Sequence, residues 1–235
     1  VQEVFFAVHN YPQDKMRAIY EKLSKAGIKV KNYDIPHMTS GGEKPQLKEF
    51  EIEDLLFRRQ ESIINEKINA YYRGKTILIT GGGGSIGSEL CRQIARMTPK
   101  KIIILDIYEN SAYDIQQELK MKYGNKLDLS VEIVSIANKK GLGRVFETYS
   151  PDIVINAAAH KHVPLMEHNC IEAVENNVFG CLNIIELCEE YGVSRFMMVS
   201  TDKAVNPTNV MGATKRMCEM IMLAYSTRGK VKCSA

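Results

Sequence analysis

A doubly wound α/β fold, a parallel sheet with helices on both faces, is predicted for most of the chain by three observations. From Lys75 onward, short β-rich runs alternate with helical stretches of about 10–20 residues, the rhythm of right-handed βαβ crossovers. The runs are apolar along their whole length, as in IIIL at 102–105, which suits strands covered on both faces. The first of them leads directly into a glycine cluster, TGGGGSIG at 80–87, that opens a helix.

The strands of this pattern are expected at 76–80, 101–105, 129–134, 152–156 and 195–200. Helices are expected near 85–96, 110–123, 140–149, 170–191 and 211–226. Upstream, residues 4–8 read as a buried strand, 12–26 as a helix on Met16, Ile19, Tyr20 and Leu23 closed by Gly27, and 28–33 as a second strand. Residues 36–44, with Thr39, Ser40, Gly41 and Gly42, read as a linker, and 52–72 as helical. The expected organisation is the end of a preceding α/β domain at 1–36, a linker and helix at 37–72, and a dinucleotide-binding domain at 73–235. Both ends read as cut, because the chain opens on Val1 without a methionine and 232–235 looks like a strand just beginning; a piece of something longer is expected.

Composition excludes several classes. With 31 lysines and arginines against 28 acids, the net charge of +3 is too small to argue for nucleic acid or an anionic membrane. The six cysteines form no CxxC pair and no metal-like spacing with histidine, so reduced thiols, a cytosolic setting and no metal are expected. No run approaches the ~18–20 apolar residues of a membrane span, and neither a span nor a signal peptide is expected within these residues.

The glycine cluster carries the most specific chemistry of the first half. Gly81, Gly84 and Gly87 lack a Cβ, which permits a tight turn and close approach of backbone to a pyrophosphate. Ser85 and Ile86 begin the helix whose free N–H groups would meet that anion. Asp106 follows IIIL about 20 residues later, where a carboxylate accepts bonds from the adenosine ribose. It would repel a 2′-phosphate, and no arginine follows in IYENS to receive one, so NAD is expected over NADP. Ala157, Ala158 and Ala159 end the fourth strand with small side chains that let backbone pass close to the cofactor. Asn138, after the third strand, reads equally as an adenine contact or as a loop residue.

At this point the chain resembles an extended short-chain dehydrogenase/reductase, most closely the CapD-like polysaccharide biosynthesis family of UDP-N-acetylglucosamine 4,6-dehydratases. The resemblance is carried by IEDLLFR, GKTILITGGGGSIGSELCRQI, LDIYEN, PDIVINAAAHKHVPLME, ENNVFG and STDKAVNPTNVMGATKR, over about residues 50–232. The superfamily's usual Tyr-x-x-x-Lys pair sits on one helical face, its lysine holding the nicotinamide ribose. Here it reads Met211-Gly-Ala-Thr-Lys215, and long membrane-anchored members are similar in having methionine there. A thioether cannot ionise, so the resemblance places proton transfer on Asp202 and Lys203, with Thr201 bonding the sugar's C4 hydroxyl. Asp202 is the expected base, with a neighbouring group or a water as the alternative at C4. Asn177 matches an asparagine that orients the active-site water or lysine in relatives.

Lys161 and His162 either touch the sugar or its phosphates or only order their loop; Glu167 stays open. The implied partner is a UDP-sugar, in a homo-oligomer, with a parent protein anchored through a membrane region outside this sequence. Members of the family continue past the equivalent of Ala235 into a smaller substrate-binding region, so this chain is expected to hold cofactor without full turnover. The competing readings are a UDP-sugar C4 epimerase and a non-catalytic NAD-binding module.

Overall fold

The computed structural model describes residues 3–6, 13–34, 46–49 and 66–235, in two compact units, Val1–Ile63 and Ile64–Ala235. In the first, β1 (Glu3–Phe6) runs parallel to β2 (Lys29–Asp34), joined through α1 (Gln13–Lys25). Gly27, at φ +70°, turns the chain out of α1 in the left-handed region that glycine adopts without strain. A third strand, β3 (Gln46–Glu49), adds antiparallel to β2. It falls inside the stretch read as linker and helix, and its sequence QLKE carries no β-branched residue to announce it. The helix expected at 52–72 is described over α2 (Glu66–Tyr72); 52–65 and the linker residues 36–44 lie outside the described residues.

The second unit is built on six parallel strands: β4 (Thr76–Thr80), β5 (Lys101–Asp106), β6 (Leu129–Ile133), β7 (Ile153–Asn156), β8 (Arg195–Met198) and β9 (Lys232–Ser234). Their order across the sheet is β6-β5-β4-β7-β8-β9. Connecting them are α3 (Ser85–Ala95), α4 (Glu109–Tyr123), α5 (Lys139–Tyr149), α6 (Val163–His168), α7 (Cys170–Ala173), α8 (Gly180–Glu190) and α9 (Val210–Thr227). The helix expected over 170–191 is interrupted: a π-turn at Val174–Phe179 separates α7 from α8, widening the helix by a residue that no hydrophobic period reveals.

Strand side chains alternate between two cores. Ile77, Ile79, Ile102, Ile104, Ile153 and Ile155 pack with Cys91 and Ile94 of α3 and Ala112, Ile115 and Leu119 of α4. Leu78, Ile103, Leu105, Val154, Phe196 and Met198 pack with α5, α8 and Cys218 of α9. Four cysteines, 91, 181, 188 and 218, are fully enclosed and act as small hydrophobes, and all six thiols are free. Two polar contacts tie β4 to β7. At one end the Thr76 N–H donates to Asp152 Oδ2 at 2.8 Å; at the other the buried Thr80 hydroxyl donates to Asn156 Oδ1 at 2.7 Å. The chain leaves β4 toward β5 and returns to β7 on the other side, so a crevice opens at the carboxyl ends of these two strands. Among the described residues, no helix is long and apolar enough to cross a membrane.

Candidate active site

The glycine loop leaves β4 in a turn that only glycine fits. Gly81 has φ +65°, and a Cβ there would lie 2.6 Å from the Ala158 nitrogen. A Cβ on Gly87 would lie 2.0 Å from the Gly81 carbonyl oxygen, so the first turn of α3 is pressed against the loop. Gly84 differs: it is the exposed N-cap of α3, makes no side-chain cap, and leaves the helix's first N–H groups open to an anion. Ser85 and Ile86 are exposed in that same first turn and offer it their backbone.

Asp106 ends β5 with both carboxylate oxygens held by backbone. Oδ2 accepts the Gly83 N–H at 2.9 Å and Oδ1 accepts the Tyr108 N–H at 3.0 Å. The carboxylate is thereby fixed at the wall of a cavity of about 300 Å³ that Gly81, Gly84, Ala157, Ala158 and Ala159 also line. His160, which the sequence leaves open as a sugar or phosphate contact or a loop-ordering residue, also lines the wall, as do Tyr108, Ser111, Ile136 and Asn176, which belong to no phosphate or ribose motif in the sequence. Asn138, which the sequence reads equally as an adenine contact or a loop residue, sits at the start of α5. Its amide oxygen accepts the Gly141 N–H at 3.0 Å and caps α5, because the chain must supply a partner for that helix's first donors.

Past β8 the chain bends through a short 3₁₀ turn, Asp202–Ala204, and this turn assembles a polar cluster. The Thr201 hydroxyl donates to Asp202 Oδ1 at 2.9 Å, and Lys203 Nζ donates to the same oxygen at 3.3 Å. The Thr201 hydroxyl, followed by the Lys203 ammonium, holds the Asp202 carboxyl below the ordinary aspartate range. The couple is solvent-facing, with 86% of the Asp202 side chain exposed. Ser200 is turned away, its hydroxyl donating to Glu219 Oε1 at 2.6 Å.

Helix α9 carries the other half. Lys215 is buried, and its ammonium donates to the Val199 carbonyl at 3.0 Å; burial pushes its pKa down. Met211, one turn earlier, is buried with Met166 and Ala173, and so fills space where it stands. Asn177 is brought beside this helix by the π-turn, with partners other than a lysine. Its amide nitrogen donates to the His160 carbonyl and to the Thr214 hydroxyl, both at 3.0 Å, and its oxygen accepts the His160 N–H at 2.8 Å. Asn177 therefore splints the loop after β7 to α9. Lys161 and His162 are exposed on that loop and do not line the cavity. Glu167, left open by the sequence, accepts the Val210 N–H at 2.6 Å, at the start of α9. Among the described residues, no group of three or more His, Cys, Asp or Glu side chains is placed to hold a metal ion.

The switch-point crevice, the glycine turn, the carboxylate at the end of β5 and the buried lysine on α9 are the features of an extended short-chain dehydrogenase/reductase. Sequence comparison narrows the class. The family model described as polysaccharide biosynthesis protein matches residues 77–234, and the chain belongs to that family. It is 44% identical to the capsular polysaccharide biosynthesis protein CapD of Staphylococcus aureus, over 94% of this chain and 37% of that protein. It is 36% identical to a UDP-N-acetylglucosamine 4,6-dehydratase (inverting) of Campylobacter jejuni, over 65% of this chain and 44% of the relative. Among solved structures, the X-ray structure of Pen from Bacillus thuringiensis superposes with TM-score 0.63 at 28% identity, over 70% of this chain and half of that one. The chain thus spans less than half the length of the two curated relatives.

Proposed function

We propose that this chain is the cofactor-holding part of an NAD-dependent nucleotide-sugar 4,6-dehydratase acting on UDP-N-acetylglucosamine. The observation that carries the reading is the pairing of a packed, non-ionising Met211 with an aspartate–lysine couple one strand-end away. The residues present fit a dinucleotide. Gly84 and the uncapped start of α3 suit its pyrophosphate, Asp106 its adenosine ribose, and Lys215 the ribose of its nicotinamide half. NAD, when bound, supplies the hydride acceptor for C4 of the sugar and the donor for C6.

The chain's own residues would handle the protons. Asp202, kept ionised by Thr201 and Lys203, is the base that removes the C5 proton. Thr201 bonds the C4 hydroxyl and orients it while Asp202 takes that hydroxyl's proton and, being solvent-facing, passes it on before the C5 step; Lys203 is the acid that protonates the departing C6 hydroxyl. Water leaves across C5–C6, and as hydride is returned to C6 Asp202 gives its proton back to C5, so the product is a 4-keto-6-deoxy sugar. An aspartate is ionised throughout the neutral range and so can accept a proton where the methionine cannot.

The test is mass spectrometry of UDP-N-acetylglucosamine incubated with the native polypeptide that carries this sequence and with NAD⁺. A product lighter by about 18 Da, one water, is expected. A product of unchanged mass with C4 inverted would replace the reading with epimerisation, and unaltered substrate would leave only a nucleotide-binding module.

A further inference from the structure

The first turn of α9 is a mount on which two separate segments rest, α6 and the 3₁₀ turn. Val210, its first residue, donates its backbone N–H to Glu167 Oε1 at 2.6 Å across 43 residues of sequence. Asn209 caps the same turn, its Oδ1 accepting the Gly212 N–H at 2.8 Å. Gly212 lies so close to the 3₁₀ turn that a Cβ there would sit 2.5 Å from the Lys203 carbonyl oxygen. Beneath it, Met166 of α6 packs on Met211, with Val163 and Val210 against them. The turn that carries Met211 and leads to Lys215 thus touches α6 on one side and the Asp202–Lys203 turn on the other.

We propose that Glu167 is a positioning residue: its carboxylate clamps the N-terminus of α9 to α6 and so sets where the Asp202–Lys203 turn sits relative to Lys215. Two physical terms favour the clamp. A carboxylate at a helix start satisfies a donor that no intrahelical carbonyl can reach, and its charge complements the positive end of the helix dipole. Chain geometry transmits the effect, because Gly212 meets Lys203 through backbone, which cannot rotate away as a side chain could. Asn209 alone caps α9 but reaches only Gly212, within its own turn, so it cannot fix that turn against α6.

The catalytic part of this proposal rests on the dehydratase reading; the clamp does not. The test therefore has two arms on Glu167→Ala and Glu167→Gln, the second keeping an oxygen that can accept the Val210 N–H. In hydrogen exchange of the protein without cofactor, Glu167→Ala is expected to lose at least tenfold protection over 202–213, while Glu167→Gln stays within about threefold of the parent. In turnover of the UDP-sugar, Glu167→Ala is expected to lose at least tenfold in kcat with KM and cofactor affinity held within threefold, and Glu167→Gln to recover most of that loss. Unchanged exchange over 202–213 in Glu167→Ala would overturn the clamp. A kcat loss equal in both variants would assign the carboxylate a proton-carrying role instead and overturn the positioning role. If the parent protein shows no turnover, the dehydratase reading fails while the exchange arm still decides the clamp.

Discussion

Asp202 and Lys203 meet at 3.3 Å on a solvent-facing turn, an arrangement of little value for stability, since water and salt screen an exposed ion pair. Their removal should therefore show in chemistry and not in folding. Asp202→Asn and Lys203→Ala are each expected to lower kcat by at least about 10²-fold, the usual scale of a lost general acid or base, while melting temperature and NAD⁺ affinity stay close to the parent. Met211→Ala should show the opposite pattern. Emptying a buried methionine site costs about 2–5 kcal/mol of stability, yet it deletes no proton carrier. Near-parent turnover in Asp202→Asn, or a collapse of kcat beyond the stability loss in Met211→Ala, would reverse these roles. The methionine at the superfamily's tyrosine position is legible through the family resemblance, and four-residue spacing then puts that side chain on the face of Lys215. The role of Glu167 is not legible there: its partner is a backbone N–H 43 residues away, and a backbone donor has no letter in the sequence.

At the scale of elements, the glycine loop shows how a motif becomes a shape. Gly87 lies on the first turn of α3 with the Gly81 carbonyl in the space a methyl would need. Gly87→Ala forces either the loop or the helix to move, an overpacking cost of about 1–3 kcal/mol. The expected result is a lower melting temperature together with a loss of at least tenfold in NADH affinity by fluorescence titration. Parent-like binding would mean that the loop adjusts without harm to the cradle. The regular strands and helices of the second unit were legible because apolar β-rich runs and 3.6-residue periods leave strong marks. What escaped were β3, whose four residues carry no β propensity; the six-residue α6; the 3₁₀ turn at 202–204; and the π-turn. Each is too short, or too irregular, to repeat a period. Two of them bear on the site: the π-turn delivers Asn177 to His160, and α6 delivers Glu167 to α9.

Across the whole molecule, the crevice is a property of two strands whose connection runs through β5 and β6. A ligand that binds only the folded chain raises stability by RT ln(1 + [L]/Kd), about 2.7 kcal/mol at a hundredfold excess over Kd. NAD⁺ is therefore expected to raise the melting temperature by several degrees, and NADP⁺ by much less, because the fixed Asp106 carboxylate repels a 2′-phosphate. A larger shift with NADP⁺ would contradict the role given to Asp106. The two cores of the sheet have a less visible result. In β4 and β7 every side chain is buried, so sliding one strand past the other by a residue would exchange one apolar face for another at little hydrophobic penalty. Correct alignment must then come from the polar contacts at the strand ends, Thr76 with Asp152 and Thr80 with Asn156. The same alignment sets Gly81 against Ala158. A slip there would leave the buried Thr80 and Asn156 without partners and part Gly81 from Ala158, so fidelity of strand alignment, as much as packing, is what this sheet must secure while it folds.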